Sequence, residues 1–180
     1  MHTAILNAAA ELVTETGYAA TSIGAVAARA GTGKDTIYRR WSGKAELVYE
    51  AVFTAAESAP VPDTGSLTGD LTVLIEALVQ EFTTPAAAAA LPSLLADFAA
   101  SPELQTRIRS YFLAPAKAGL TEVFERAIQR GEAHAAVPVN LVLDTLAGAV
   151  FFHVGLVGAP AHHDLASQLA ALVARGIEVR

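Results

Sequence analysis

The sequence predicts an all-α protein, a cluster of short helices at the N-terminus followed by longer ones. Three observations lead there. Apolar residues recur at helical spacing along the whole chain, no alternating apolar–polar run bounded by turns marks a strand, and glycine and proline fall at segment ends rather than in runs. Of the 180 residues 53% are hydrophobic and 17% charged, a composition that demands extensive burial. A chain of this length buries roughly two-thirds of its unfolded surface, so it folds without a metal or disulfide staple. Cysteine is absent, which excludes thiol catalysis, cysteine-ligated zinc and a disulfide framework, and fits a cytoplasmic location.

The first apolar stripe is Ile5, Ala9, Leu12 and Val13, ended by Gly17 at a C-cap position. Thr21 or Ser22 can cap a second, short helix whose Ile23, Val26, Ala27 and Ala30 face inward. Gly31 stops it. A third short helix is predicted over 34–40, burying Ile37 and Trp41, and a fourth carries Leu47, Val48, Ala51, Val52 and Ala55. Two short helices joined by a glycine-containing turn and braced by a third make a helix-turn-helix, whose second helix suits a DNA major groove. With Ile37 and Trp41 inward, that helix presents Lys34, Asp35, Tyr38 and Thr36 on its other side.

The net charge of −6 argues against nucleic acid only until it is divided. Residues 1–50 balance, with 5 Lys/Arg against 5 Asp/Glu, and residues 51–180 carry 7 against 13. Between 29 and 44 lie Arg29, Lys34, Arg39, Arg40 and Lys44 against Asp35 alone. Such a patch suits a phosphate-facing surface, although charge alone favours a solvated basic face, so spacing and context decide.

Beyond residue 55, the stretch 59–65 reads as a linker. A helix with Leu67, Leu71, Leu74, Ile75, Leu78 and Phe82 follows, then one over 86–100 interrupted or begun at Pro92. Pro102 opens a helix running to about 130, with a bend at Pro115, and Gly131 ends it. Pro138 starts a strongly apolar helix ending near Gly158, and an amphipathic helix with Leu165, Leu169, Leu172, Val173 and Ile177 closes the chain. The uncharged stretch 145–161 is at the short end of a membrane span, contains His153 and Pro160, and has no basic flank, so burial at a core or subunit interface is the better account.

The stretch Ile5 to Val52 resembles the DNA-binding domain of the TetR family. Gly17-Tyr18, Ala20 to Ile23, Ala30-Gly31, Lys34, Thr36 to Tyr38, Trp41, Lys44 and Leu47 fall in step with that family's pattern. The resemblance implies phosphate contacts from Thr21 or Ser22, Tyr38 and Lys44, and base or near-base contacts from Lys34, Asp35, Thr36 and Arg40. Three departures stand out: Gly33 in place of a capping serine, Asp35 where a small residue is usual, and Trp41 for phenylalanine. It also implies two domains, a DNA-binding domain over 1–50 and a helical effector-binding and dimerisation domain over 51–180, which resembles the family by helix order rather than by motif.

On that resemblance the chain is expected to be a repressor that binds double-stranded operator DNA as a homodimer, paired through its last two helices, 139–158 and 164–178. The penultimate helix supports an interface independently, because Leu141, Leu146, Val150, Phe151, Val154 and Val157 leave it almost no polar face. A small lipophilic effector is expected against Phe82, Phe98, Tyr111, Phe112, Phe124, Phe152 and His153, with Asp97, Arg107 and His153 as polar groups. Aromatics at helical spacing are more often core residues than pocket walls. No cofactor is expected. Enzyme motifs are missing, and the adjacent His162 and His163 point apart on a helix without a third ligand, so a metal site is not expected. The alternative reading is a helical adaptor or architectural DNA binder with no effector.

Overall fold

The computed structural model describes residues 1–53, 60–159 and 164–177, and every described regular element is helical. Helix α1 (His2–Ala20), α2 (Ile23–Arg29), α3 (Lys34–Tyr38) and α4 (Lys44–Phe53) come first. They are followed by α5 (Leu67–Thr83), α6 (Pro85–Ala100) and α7 (Pro102–Ile108). A π-helical turn (Arg109–Leu113) leads into α8 (Ala114–Gln129). Next come α9 (Val139–Val150), a second π-helical turn (Phe151–Leu156), and α10 (Leu165–Ile177). His162 and His163 lie outside the described residues, as do Ala55 of the expected fourth helix and Glu178 of the expected last helix.

The chain packs as two compact units, one of residues 1–55 with 84–112, the other of 56–83 with 113–180. In the first, Ile5, Ala9 and Leu12 of α1 meet Ile23, Val26 and Ala27 of α2, and Ile37, Trp41 and Leu47 complete the cluster. Helix α6 packs on α1 and α4 in the same unit. Residues 84–112 therefore pack with the N-terminal helices, although the sequence assigns them to the region after residue 50.

Local chemistry explains where the helices begin and bend. Gly17, at φ 81°, ψ 162°, is not helical and ends the first helical stretch of α1 as expected, a short second stretch following across the kink. Thr84 caps α6, its hydroxyl accepting from the Ala87 amide at 3.1 Å, and Pro85 occupies the first turn where no amide is needed. The helix then runs through Pro92, where the sequence predicts an interruption or a start. At Pro115 the expected bend is a widened π turn immediately before α8, leaving the proline in a first turn where it is tolerated.

In the second unit Leu71 and Ile75 of α5 pack with Leu120, Val123 and Phe124 of α8, Val142, Leu146 and Val150 of α9, and Ala170, Val173 and Ile177 of α10. Ser66 caps α5 by accepting from the Gly69 amide at 3.1 Å, and buried Asp70 accepts from the Thr64 amide at 2.6 Å and hydroxyl at 2.8 Å. The last helix is turned differently from its expected leucine face. Ala166 and Ala170 face inward, small enough for close approach to α5, and Leu172 is left 65% exposed.

Phe124 is 1% exposed within this core, a packing position rather than the open pocket wall expected from its place in the sequence. Phe124→Ala is expected to destabilise the protein by about 3–5 kcal/mol, measured by urea unfolding, as for other fully packed phenylalanines.

Candidate nucleic-acid interface

All residues of the basic N-terminal surface lie in the first unit. Its turn is set by backbone chemistry: α2 ends with the Thr32 amide donating to the Ala27 carbonyl at 2.9 Å and the Gly31 amide to Ala28 at 3.3 Å. This paired closure places Gly31 at φ 65°, a conformation that costs other residues roughly 1–2 kcal/mol. Gly33 precedes α3 without a side-chain cap, as its missing side chain requires. Asp35 in the first turn complements the helix dipole there.

Helix α3 has five residues, too few to persist alone. It is held from behind by Ile37, 0% exposed, and by Trp41 just after it, 1% exposed. The Trp41 indole donates to a Glu50 carboxylate oxygen, and the His2 ring stacks on it at 5.3 Å with a 6° interplanar angle. His2 Nε2 lies 2.9 Å from the other Glu50 oxygen. This brace joins the start of α1, the exit of α3 and the body of α4; His2 and Glu50 carry no motif that marks them in the sequence.

With that face inward, Lys34, Asp35, Arg39 and Arg40 are exposed, and Tyr38 is 55% exposed. Thr36 is half-buried and its hydroxyl accepts from Arg39 at 3.2 Å. Lys34 lies close to Gly24: a Cβ there would come within 3.0 Å of the lysine Cε. Neither Lys34 nor Arg40 has a hydrogen-bond or ion-pair partner among the described residues. Arg29, by contrast, is committed to Glu15 through two bonds of 2.7 and 2.8 Å.

The expected pair Thr21 and Ser22 separates. Thr21 is 2% exposed and donates its hydroxyl to the Gly17 carbonyl at 2.9 Å, which turns it away from any ligand surface. Ser22 is exposed and caps α2, accepting from the Ala25 amide at 3.1 Å. Lys44 is half-buried; its ammonium donates to the Tyr18 carbonyl at 3.0 Å and lies 4.2 Å from the centre of the Tyr18 ring. The Tyr18 hydroxyl in turn donates to Asp97 of α6. Burial raises the Tyr18 phenol pKa, and the hydrogen bond to the Asp97 carboxylate raises it further.

Glu46 is the buried charge of this region. It accepts from the Ser42 amide at 2.7 Å, the Ser42 hydroxyl at 2.6 Å, and Arg107 of α7 through two bonds of 2.7 and 2.9 Å. Burial alone would raise its pKa, but hydrogen bonds from Arg107 and Ser42 reverse the sign and hold it below the ordinary value.

The residues expected to line an effector pocket divide between the units. Phe98, Arg107 and Tyr111 belong to the first, where Phe98 packs edge-on against Tyr49 at 5.7 Å and Arg107 lies 5.3 Å from the Tyr111 ring. Phe82, Phe124, Phe152 and His153 belong to the second, where Phe82 meets Phe151 edge-on at 6.1 Å. Phe112 falls in the first π turn, and its side chain lies outside the described residues. Tyr111, Phe112, Phe152 and His153 thus all sit on π-helical turns, a geometry concentrated at functional sites.

Residues 5–51 match the family model for bacterial regulatory proteins of the tetR family, and residues 61–173 match the tetracyclin repressor-like C-terminal domain. The chain is 28% identical to the uncharacterized HTH-type transcriptional regulator YdeS of Bacillus subtilis, covering 98% of this chain and 89% of that protein. It is 30% identical to the HTH-type transcriptional regulator AqdR of Rhodococcus erythropolis, covering 96% and 83% respectively. Among solved structures, the TetR family transcription regulator SCO0332 is 27% identical, with a TM-score of 0.77 over 96% of each chain.

The Glu46 geometry makes a pH prediction. A carboxyl group with a depressed folded-state pKa contributes stability that is full above the ordinary glutamate value, about 4.3, and is lost as pH falls through the lower folded value. Glu46→Gln is therefore expected to shallow the acid limb of the stability–pH curve below about pH 4.3, measured by thermal unfolding.

Proposed function

This chain belongs to the TetR family of transcriptional regulators, and we propose that it is a repressor that binds a palindromic operator as a homodimer and releases it on binding a small lipophilic ligand. It is a regulator and not an enzyme. The carrying observation is the outer face of α3, with Lys34 and Arg40 unpaired among the described residues beside Asp35 and Tyr38, opposite a face sealed by Ile37 and Trp41.

In this reading Ser22, Tyr38 and Lys44 hold phosphates, and Lys34, Asp35, Thr36 and Arg40 read or approach base edges. The Asp35 carboxylate repels phosphate, so its place in the groove is next to a cytosine amino group. The Lys44 ammonium has three donors, so it can hold a phosphate while one of them stays on the Tyr18 carbonyl. The site of action is the cytoplasm, where the DNA is.

Homodimerisation accounts for the apolar surface of the second unit. Leu141, Phe152, Leu156, Val157 and Leu172 are each about 60% exposed, three of them on α9 and its π turn, Val157 just after that turn, and Leu172 on α10. The segment Val139–Leu156 is long and apolar enough to cross a membrane, with 22% of it buried within one chain. Its Asp144 is exposed, which suits a rim facing water better than lipid. A second copy related by a two-fold axis covers this surface with the same surface, and two-fold pairing matches an operator of two half-sites at major-groove spacing. Double substitution Phe152→Glu and Leu172→Glu is expected to give monomers in sedimentation and to abolish binding to the two-half-site operator.

The effector site in this reading is the π turn 151–156 against α5, where Phe82, packed on Phe151, and His153 supply an apolar wall and one polar group, while Phe152 of the expected set faces outward on the pairing surface. A lipophilic ligand there would act by preferring the protein conformation that fits the operator less well.

The test is a gel shift on DNA upstream of the protein's own gene and on random DNA, at rising salt. Operator binding should survive salt that removes random binding; equal loss of both would leave an architectural binder instead. Lys34→Ala and Lys44→Ala are each expected to weaken binding and reduce the salt slope by about 1. Unchanged affinity in both would overturn the assigned face.

A further inference from the structure

We propose that Arg107 and Asp97, on helices remote in sequence from the DNA-binding motif, are positioning residues for operator binding, holding the connection between α3 and α4 in its DNA-competent form. The proposal rests on the DNA-binding reading of α3. Both residues thereby leave the effector pocket, where their sequence positions put them.

The connection needs holding. Residues 42 and 43 lie between the end of α3's brace and the start of α4, tied to the helical ladder only where the Gly43 carbonyl accepts from the Leu47 amide at 3.2 Å. A five-residue helix lends little order of its own to the residues after it. Two polar chains converge on residues 42–44. In one, Arg107 grips buried Glu46 through two hydrogen bonds, and Glu46 accepts both the amide and the hydroxyl of Ser42, directly after Trp41. In the other, Asp97 accepts from the Tyr18 hydroxyl, and the carbonyl and ring of Tyr18 seat Lys44.

Both chains lie wholly within the first unit, and both begin on the segment 84–112. Neither Arg107 nor Asp97 needs to touch DNA. Arg107 orients a carboxylate that is 3% exposed, and a buried carboxylate stripped of its cation would not stay in place. Asp97 fixes the tilt of the Tyr18 ring on which the lysine rests. The apolar contact of Leu104 and Ile108 with Ala45 and Tyr49 sets the spacing across which Arg107 reaches.

The test separates positioning from charge and from folding. Glu46→Gln with Arg107→Met removes the pair without changing net charge, and the glutamine can still accept from the Ser42 amide. Full-length variants are titrated with operator DNA at several salt concentrations, alongside thermal unfolding and amide hydrogen exchange of residues 42–44. The expected result is a folded protein with operator affinity reduced on the order of tenfold, a salt slope equal to wild type, and faster exchange at Ser42. Arg107→Lys, which keeps the charge and one bond, should fall between the two.

Tyr18→Phe, which removes only the link to Asp97, gives an independent reading, with weaker binding and the same salt slope expected. A folded pair variant, or Tyr18→Phe should the pair variant not fold, that binds operator like wild type overturns the proposal alone. A changed salt slope would show direct electrostatic contact and overturns it as well. Wild-type protein that binds no DNA removes the operator reading itself, and this proposal with it.

Discussion

Burial of Ile37 and Trp41 is the constraint on which the rest of the N-terminal unit depends. Nucleating a helix costs more than five residues can return in water, so α3 exists because two side chains pin it to α1, α2 and α4. The pinning decides everything on the opposite side. With those two positions inward at helical spacing, Lys34, Asp35, Tyr38 and Arg40 have nowhere to go but outward. The indole adds direction to this apolar grip, since its N–H must find an acceptor when buried and Glu50 supplies one. His2, flat against the same ring, closes the remaining side.

Charge is distributed by commitment as much as by count. Five basic residues between 29 and 44 look alike in composition, yet Arg29 is held by Glu15, Arg39 by Thr36 and Lys44 by Tyr18. Of the five, Lys34 and Arg40 face water without a partner among the described residues. The regulator thus presents a small cationic surface on an acidic chain of net charge −6, which limits its long-range attraction for polyanions.

Helix positions and inward faces were legible in the sequence wherever apolar spacing ran uninterrupted, as in the stripes of α1, α2 and α5. The capping of α2 was legible only as a choice between Thr21 and Ser22, because burial decides it and burial is a property of the whole unit. Alanines hide the true inner face of α10: Ala166 and Ala170 attract no attention in a sequence, but their small size puts them against α5 and turns Leu172 outward. The π turns were invisible, since a widened turn has no residue signature of its own. Least accessible was the pairing of Glu46 with Arg107, 61 residues apart. Periodicity tells which face of a helix is inward but not which helix it meets, so residues 84–112 could not be assigned to the packing of the first fifty.

The chain has a single tryptophan, and Trp41 sits at the exit of α3 with its indole N–H bound to a carboxylate and its ring covered by an imidazole. Its intrinsic fluorescence therefore reports on this one corner of the protein without a label. Loss of the stacked imidazole, or of the indole's acceptor, would alter emission intensity or wavelength at the exit of α3. The molecule carries its own optical gauge of whether this corner is assembled.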